Sequence, residues 1–106
     1  MLERLSLTDA QRDQVKAILD SHRRDLQSVG QRMGMARRGM EAAVAADSVD
    51  ETTIRTKAVE VGAVEADMAV LRARIRAEVV QILTADQLAT LKDLQSRARQ
   101  HDRRPK

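Results

Sequence analysis

The sequence predicts an all-α fold. We expect a long antiparallel helical hairpin whose first arm is bent or broken, followed by a short C-terminal helix, giving three to four helices in a single domain over residues 1–106. Three observations carry this. Apolar residues recur at steps of three and four along two long runs, with no alternating strand pattern anywhere. The lone proline, Pro105, lies at the end of the chain, so nothing breaks either run from within. The tetrad-spaced words L-T-x-x-Q occur twice, at Leu7-Thr8-Asp9-Ala10-Gln11 and at Leu83-Thr84-Ala85-Asp86-Gln87.

The first apolar stripe runs Val15, Ile18, His22, Leu26, Val29, Met33, Ala36, Met40, Ala43. A straight helix from Asp9 to Ala46 would be about 57 Å long. Gly30, Gly34 and Gly39 interrupt it, and each costs up to about 1 kcal/mol relative to alanine. The expectation is therefore a bend near Gly30–Gly34. Asp50 caps the next helix, with Val49 and Ile54 spaced as a hydrophobic staple. The second stripe, Ile54, Ala58, Val61, Val64, Met68, Leu71, Ile75, Val79, Ile82, predicts an unbroken helix from Glu51 to Leu83. A last helix, from Ala85 to about Arg99, carries Leu88, Leu91, Leu94 and Ala98, and residues 100–106 are read as a disordered tail.

Each L-T-x-x-Q word starts a helix. Thr8 and Thr84 are N-caps, Gln11 and Gln87 complete capping boxes, and Asp9 and Asp86 place a negative charge in the first turn. Leu83 and Leu88 have staple spacing, while Leu7 faces only the stem of Arg12.

Taken singly, such a word is a common helix start; two copies bracketing seventy residues of helical pattern are more specific. On these paired motifs, from about Leu5 to Arg99, the chain resembles the Spy/CpxP family of bacterial periplasmic proteins. That family includes a heavy-metal-resistance and metal-sensor branch of the ZraP and CnrX type. Ile82-Leu83-Thr84-Ala85-Asp86-Gln87 is close to the family's I-L-T-P-E-Q form, with Ala85 where proline is usual. The resemblance implies a hairpin-like protomer, an antiparallel cradle-shaped homodimer, a periplasmic location, and either ATP-independent chaperone activity under envelope stress or metal sensing. No leader precedes Leu5, so Met1 is read as a start that replaces a removed signal or membrane anchor.

Composition narrows the chemistry. The 106 residues include no Phe, Tyr, Trp or Cys, and a third are charged. This suggests thin helix–helix seams in place of a thick core. Residues 9–46 carry seven basic and five acidic side chains, residues 47–82 five and seven, and residues 83–106 six and three. Antiparallel helix pairing explains that unevenness; a basic surface for acidic polypeptides is the second reading. There is no nucleotide loop, no helix-turn-helix spacing and no aromatic for base stacking, so nucleic acid is not expected. No convergent nucleophile, base or acid set appears, and the expectation is a non-enzyme without cofactor.

Two sets of residues could nonetheless bind something. His22 is the metal candidate, but Ile18 and Leu26 stand where an i±4 partner ligand belongs, and a structural histidine is the plainer reading. Met33 and Met40, with Arg32, Arg37 and Arg38 beside them, are the candidate client-contact residues: flexible thioethers suit a surface that fits many partners. The ordinary alternative is that the methionines are core and the arginines a solvated face. The leading function is thus a periplasmic holder of unfolded or partly folded proteins. The alternatives are a zinc, nickel, cobalt or copper sensing domain and a domain that binds one sensor protein.

Overall fold

The computed structural model describes residues 2–103, and it is helical from end to end. A 3-10 turn, Leu2–Leu5, precedes four helices: α1 (Asp9–Ser21), α2 (Arg23–Val44), α3 (Glu51–Ile82) and α4 (Ala85–Arg103). Helix α2 packs along α3, α1 continues the same arm against the later part of α3, and the 3-10 turn packs on α4. The predicted hairpin with a broken first arm is present.

The break is not where the glycines pointed. Helix α2 runs unbroken through Gly30, Gly34 and Gly39, none of which has a positive φ. A 22-residue helix packed along one face tolerates three glycines, because tertiary contact outweighs propensity. The interruption falls instead at His22 (φ −101°, ψ 4°), whose N–H closes on the Leu19 carbonyl at 3.2 Å while its own carbonyl starts α2 by accepting from Leu26 N–H at 2.9 Å. The histidine ring reaches α3, with Nε2 2.7 Å from Glu78 Oε2. One residue out of helical register therefore redirects α1.

Helix α3 starts at Asp50, whose carboxylate accepts from Thr53 N–H at 3.2 Å and Thr53 O–H at 2.8 Å. The expected staple does not form: Val49 is 81% exposed. The cap alone sets the start. Helix α4 runs past the expected Arg99 to Arg103, so Gln100 to Arg103 extend the helix where a disordered tail was expected. The remainder of that expected tail, residues 104–106, lies outside the described residues.

The main core is Val29 and Met33 of α2 against Val64 and Leu71 of α3, with Ala36, Val61, Met68 and Ile75 packed around it. Val15 and Val79 are buried on α1 and α3, and Leu5 and Leu91 on the 3-10 turn and α4. Among the described residues no side chain is fully enclosed. The molecule measures 57 × 37 × 16 Å, its thinnest dimension little more than one helix diameter of roughly 10–12 Å. Its radius of gyration is 18.5 Å, against about 13 Å for a compact chain of this length. The exposed area is 8387 Å², against about 5,900 Å² for a compact monomer of this mass. The absence of aromatics does lead to thin seams.

Two predictions follow from local geometry. A Cβ built at Gly30 meets nothing within 4 Å, so Gly30→Ala should raise stability by about 0.5–1 kcal/mol in urea unfolding. The Thr53 hydroxyl, with the Thr53 N–H, holds the Asp50 carboxyl below its ordinary 3.8. A lowered acid pKa stabilises the fold above the ordinary value, and that contribution is lost as pH falls through the lowered one. Acid unfolding of Asp50→Asn should therefore begin from a lower neutral-pH stability and fall less steeply below pH ~4.

Candidate functional site

The two capping boxes predicted from sequence are both formed. Thr8 Oγ1 accepts from Gln11 N–H at 3.1 Å and Gln11 Oε1 accepts from Thr8 N–H at 2.9 Å. Thr84 and Gln87 repeat this at 3.2 and 2.9 Å. What the sequence did not show is that the two boxes face each other. Gln11 Nε2 donates to Gln87 Oε1 at 2.8 Å, and Gln87 Nε2 donates back to Gln11 Oε1 at 3.0 Å. The second proton of each amide goes to a carbonyl of the other motif's approach: Gln11 to Ile82 at 3.0 Å, Gln87 to Leu5 at 3.3 Å.

Every donor and both acceptor positions of each glutamine amide are therefore used. Gln11 is buried, and no buried side-chain polar atom lacks a partner among the described residues. Only glutamine can do this. A glutamate would keep the cap but lose both protons, and two of them would set carboxylates in contact. Ser6 helps to aim the Leu5 carbonyl by standing at φ 54°, a left-handed conformation costing a non-glycine residue roughly 1–3 kcal/mol. The clasp and an exposed Arg76–Gln95 hydrogen bond of 3.2 Å join α4 to the hairpin, and the 3-10 turn packs on α4, where Leu91 is buried.

The candidate client residues separate. Met33 is 7% exposed and packs in the α2–α3 core, the ordinary alternative to a contact residue. Its stripe position turns it toward α3, as for Val29. Met40 is half-buried and shares an open groove of about 330 Å³ with Arg37, Glu41 and Val44. Arg32 pairs with Asp67 at 2.9 Å and Arg37 lies 3.8 Å from Glu65, so both bridge α2 to α3. The Arg38 guanidinium lies over Gly34, where an added Cβ would meet it at 3.2 Å. Antiparallel pairing thus absorbs part of the charge asymmetry, while Leu19, Leu26, Met35 and Val44 stay exposed.

His22 and Glu78 offer one nitrogen and one carboxylate 2.7 Å apart. Among the described residues no three His, Cys, Asp or Glu side chains lie close enough to hold a metal ion. Even an open catalytic zinc site takes three protein ligands, and the His22–Glu78 pair supplies two.

With this geometry in hand, one comparison decides the relationship: the model of the heavy-metal resistance family matches residues 1–90, a span that contains both halves of the clasp. The chain belongs to that family. The heavy-metal resistance family lies within the Spy/CpxP-like helical periplasmic proteins and is typically periplasmic. No curated protein and no solved structure matches the chain. Among the described residues no helix is long and apolar enough to cross a membrane.

The clasp makes a graded prediction. Thr84→Ala removes one cap and should cost about 0.5–2 kcal/mol. Gln87→Ala removes a cap and also strands the buried Gln11 amide, adding about 1–3 kcal/mol. Urea unfolding of both variants should place Gln87→Ala clearly below Thr84→Ala; equal losses would mean that the cross-pair adds nothing.

Proposed function

We propose that this chain is a periplasmic, nucleotide-independent holder of unfolded or partly folded proteins of the Spy/CpxP kind, working during envelope stress by binding and not by catalysis. The observation that carries this reading is the exposed surface of 8387 Å² on a plate 16 Å thick. On the α1–α2 arm, exposed Leu19, Leu26, Met35 and Val44 stand among Arg23, Arg24, Arg37 and Arg38. Apolar surface retains a client at about 25 cal/mol per Å² removed from water. Arginines draw in acidic segments over a range that salt cuts to about 10 Å at 0.1 M. A second copy is part of the proposal, since the excess area over a compact monomer is about 2,500 Å² and a standard interface takes only about 800 Å² per partner.

Family membership favours a second reading, in which heavy metal is sensed or buffered. Its one structural support is the His22–Glu78 pair bridging the helix break to α3. Among the described residues no further His, Cys, Asp or Glu side chain stands close enough to complete a set. Calorimetric titration with zinc, nickel, cobalt and copper separates the readings. Stoichiometric sub-micromolar binding lost in His22→Ala selects the metal reading. A third outcome, tight binding of one folded sensor protein with no affinity for unfolded chains, would select a dedicated interaction domain.

The client reading is tested by stopped-flow binding of a carboxymethylated, permanently unfolded acidic protein. Arg37→Glu with Arg38→Glu should slow capture severalfold and flatten its salt dependence. Met40→Ser with Val44→Ser should speed release with little effect on capture. Met33→Ser serves as the contrast: it should lower stability by about 2–4 kcal/mol by opening the core. Unchanged client kinetics in both surface variants would remove the α2 arm from the proposed binding surface.

A further inference from the structure

The excess charge of this chain is not spread over it. Up to Thr84 the sequence holds 13 basic and 13 acidic side chains, so that part is neutral. From Ala85 to Lys106 it holds six basic and three acidic ones, and the whole formal net charge of +3 belongs to α4 and the residues after it. The fold adds to this end. Helix α4 follows α3 after only Leu83 and Thr84, and Arg76 of α3 donates from Nη2 to Gln95 Oε1 of α4 at 3.2 Å. Around that bond the two helices form an open groove of about 480 Å³, lined by Arg76 from α3 and by Gln95, Ala98 and Arg99 from α4. Both arginines are exposed and Gln95 is half-buried. Arg72, one turn earlier on the same side of α3, is exposed as well.

The groove has the chemistry of an anion site. Two guanidinium groups from different helices line it, and among the described residues neither has a carboxylate within ion-pair distance. Asp93, on the same helix as Arg99, is engaged by Arg97 at 3.1 Å. Gln95 uses its carbonyl oxygen on Arg76, so its amide N–H groups are the end left for a ligand. Ala98 keeps the floor between these groups low. A planar carboxylate is matched by a single guanidinium fork. Donors arriving from two helices suit a tetrahedral phosphate, whose oxygens point in several directions.

The surroundings favour one source of phosphate. Basic charge continues along α4 beyond the groove, which fits an extended array of phosphates better than one small ion. The chain has no aromatic ring to stack on a base. A bilayer containing anionic phospholipid presents such an array, and it attracts basic side chains within a Debye length of its surface. We propose that the α3–α4 groove binds the phosphate groups of an anionic lipid surface, with Arg76 and Arg99 on a headgroup and the basic end of α4 against the bilayer. The site shares no residue with the α1–α2 arm assigned to clients, and goes beyond that function.

Co-sedimentation of the full chain with vesicles tests it, using equimolar phosphatidylglycerol and phosphatidylcholine beside phosphatidylcholine alone. The chain should bind the first and not the second. Arg76→Gln with Arg99→Gln should weaken binding about tenfold, whereas Arg55→Gln with Lys57→Gln, the same loss of charge at the start of α3, should change it by less than about twofold. Arg99→Gln alone leaves the Arg76–Gln95 bond in place and should weaken binding severalfold, which separates lost recognition from a loosened α4. Inorganic phosphate should displace the chain from vesicles better than chloride at equal ionic strength. Capture of the carboxymethylated client should be the same in Arg76→Gln with Arg99→Gln as in the parent, so the outcome is independent of the client reading. A parent chain that does not bind the anionic vesicles overturns the proposal. Equal losses in the two double variants, or equal displacement by phosphate and chloride, also overturn it, because only overall charge is then sensed. If the groove variant keeps its lipid binding but captures clients slowly, the groove belongs to the client surface and the lipid site is likewise overturned.

Discussion

Two amide groups in contact hold the ends of this chain. Gln11 and Gln87 are 76 residues apart, yet each satisfies its own helix cap and the other's amide at once. A pair of side chains that are each other's only complete partner is hard to replace piecemeal, since removing one leaves the other with unmet donors in a partly buried place. The arrangement explains why the motif needs threonine and glutamine together, and why it is present twice. The threonine frees the glutamine from nothing; it orients it, so that the amide end stands ready for its counterpart.

The rest of the architecture follows from having little bulk to bury. Without aromatics, α2 and α3 meet along a single row of Val, Met and Leu, and the molecule stays 16 Å thick. Such a plate has two broad faces and no closed interior. Its polar cross-links lie at the edges of the seam: Arg32–Asp67, Arg37–Glu65 and His22–Glu78 all join the first arm to α3. The two arginine pairs are largely exposed and set register more than they add stability, whereas the His22 ring is mostly covered. The broad faces of the plate keep apolar side chains such as Leu19, Leu26, Met35 and Val44 in contact with solvent.

Much of this was legible in the residues. Both caps, the Asp50 start, the long α3 and the antiparallel first arm follow from periodicity and capping chemistry, which are local. The errors fall where tertiary contact overrides local preference. Glycines drew the expected bend to Gly30–Gly34, but the chain breaks at His22, whose ring is engaged on α3; no propensity scale signals that. Met33 and Met40 share a stripe and read alike, and only the crossing of α2 over α3 separates core from groove. The clasp left a sign in the sequence, the repetition of the motif itself. Its meaning needed the two ends side by side.

The span closed by the clasp bears on the order in which the chain assembles. Helices α2 and α3 meet across a six-residue connection, so their contacts are near in sequence and cheap to form. The glutamine pair instead closes nearly the whole chain, and Gln11 has no counterpart until Gln87 has been synthesised. The hairpin can therefore exist before its ends are joined, with the N-terminal turn unable to dock until α4 arrives. The same asymmetry runs in reverse in the finished protein. The turn and α4, joined to the hairpin by few contacts, form the unit that opens at least cost, and hydrogen exchange there need not wait for the α2–α3 seam to part.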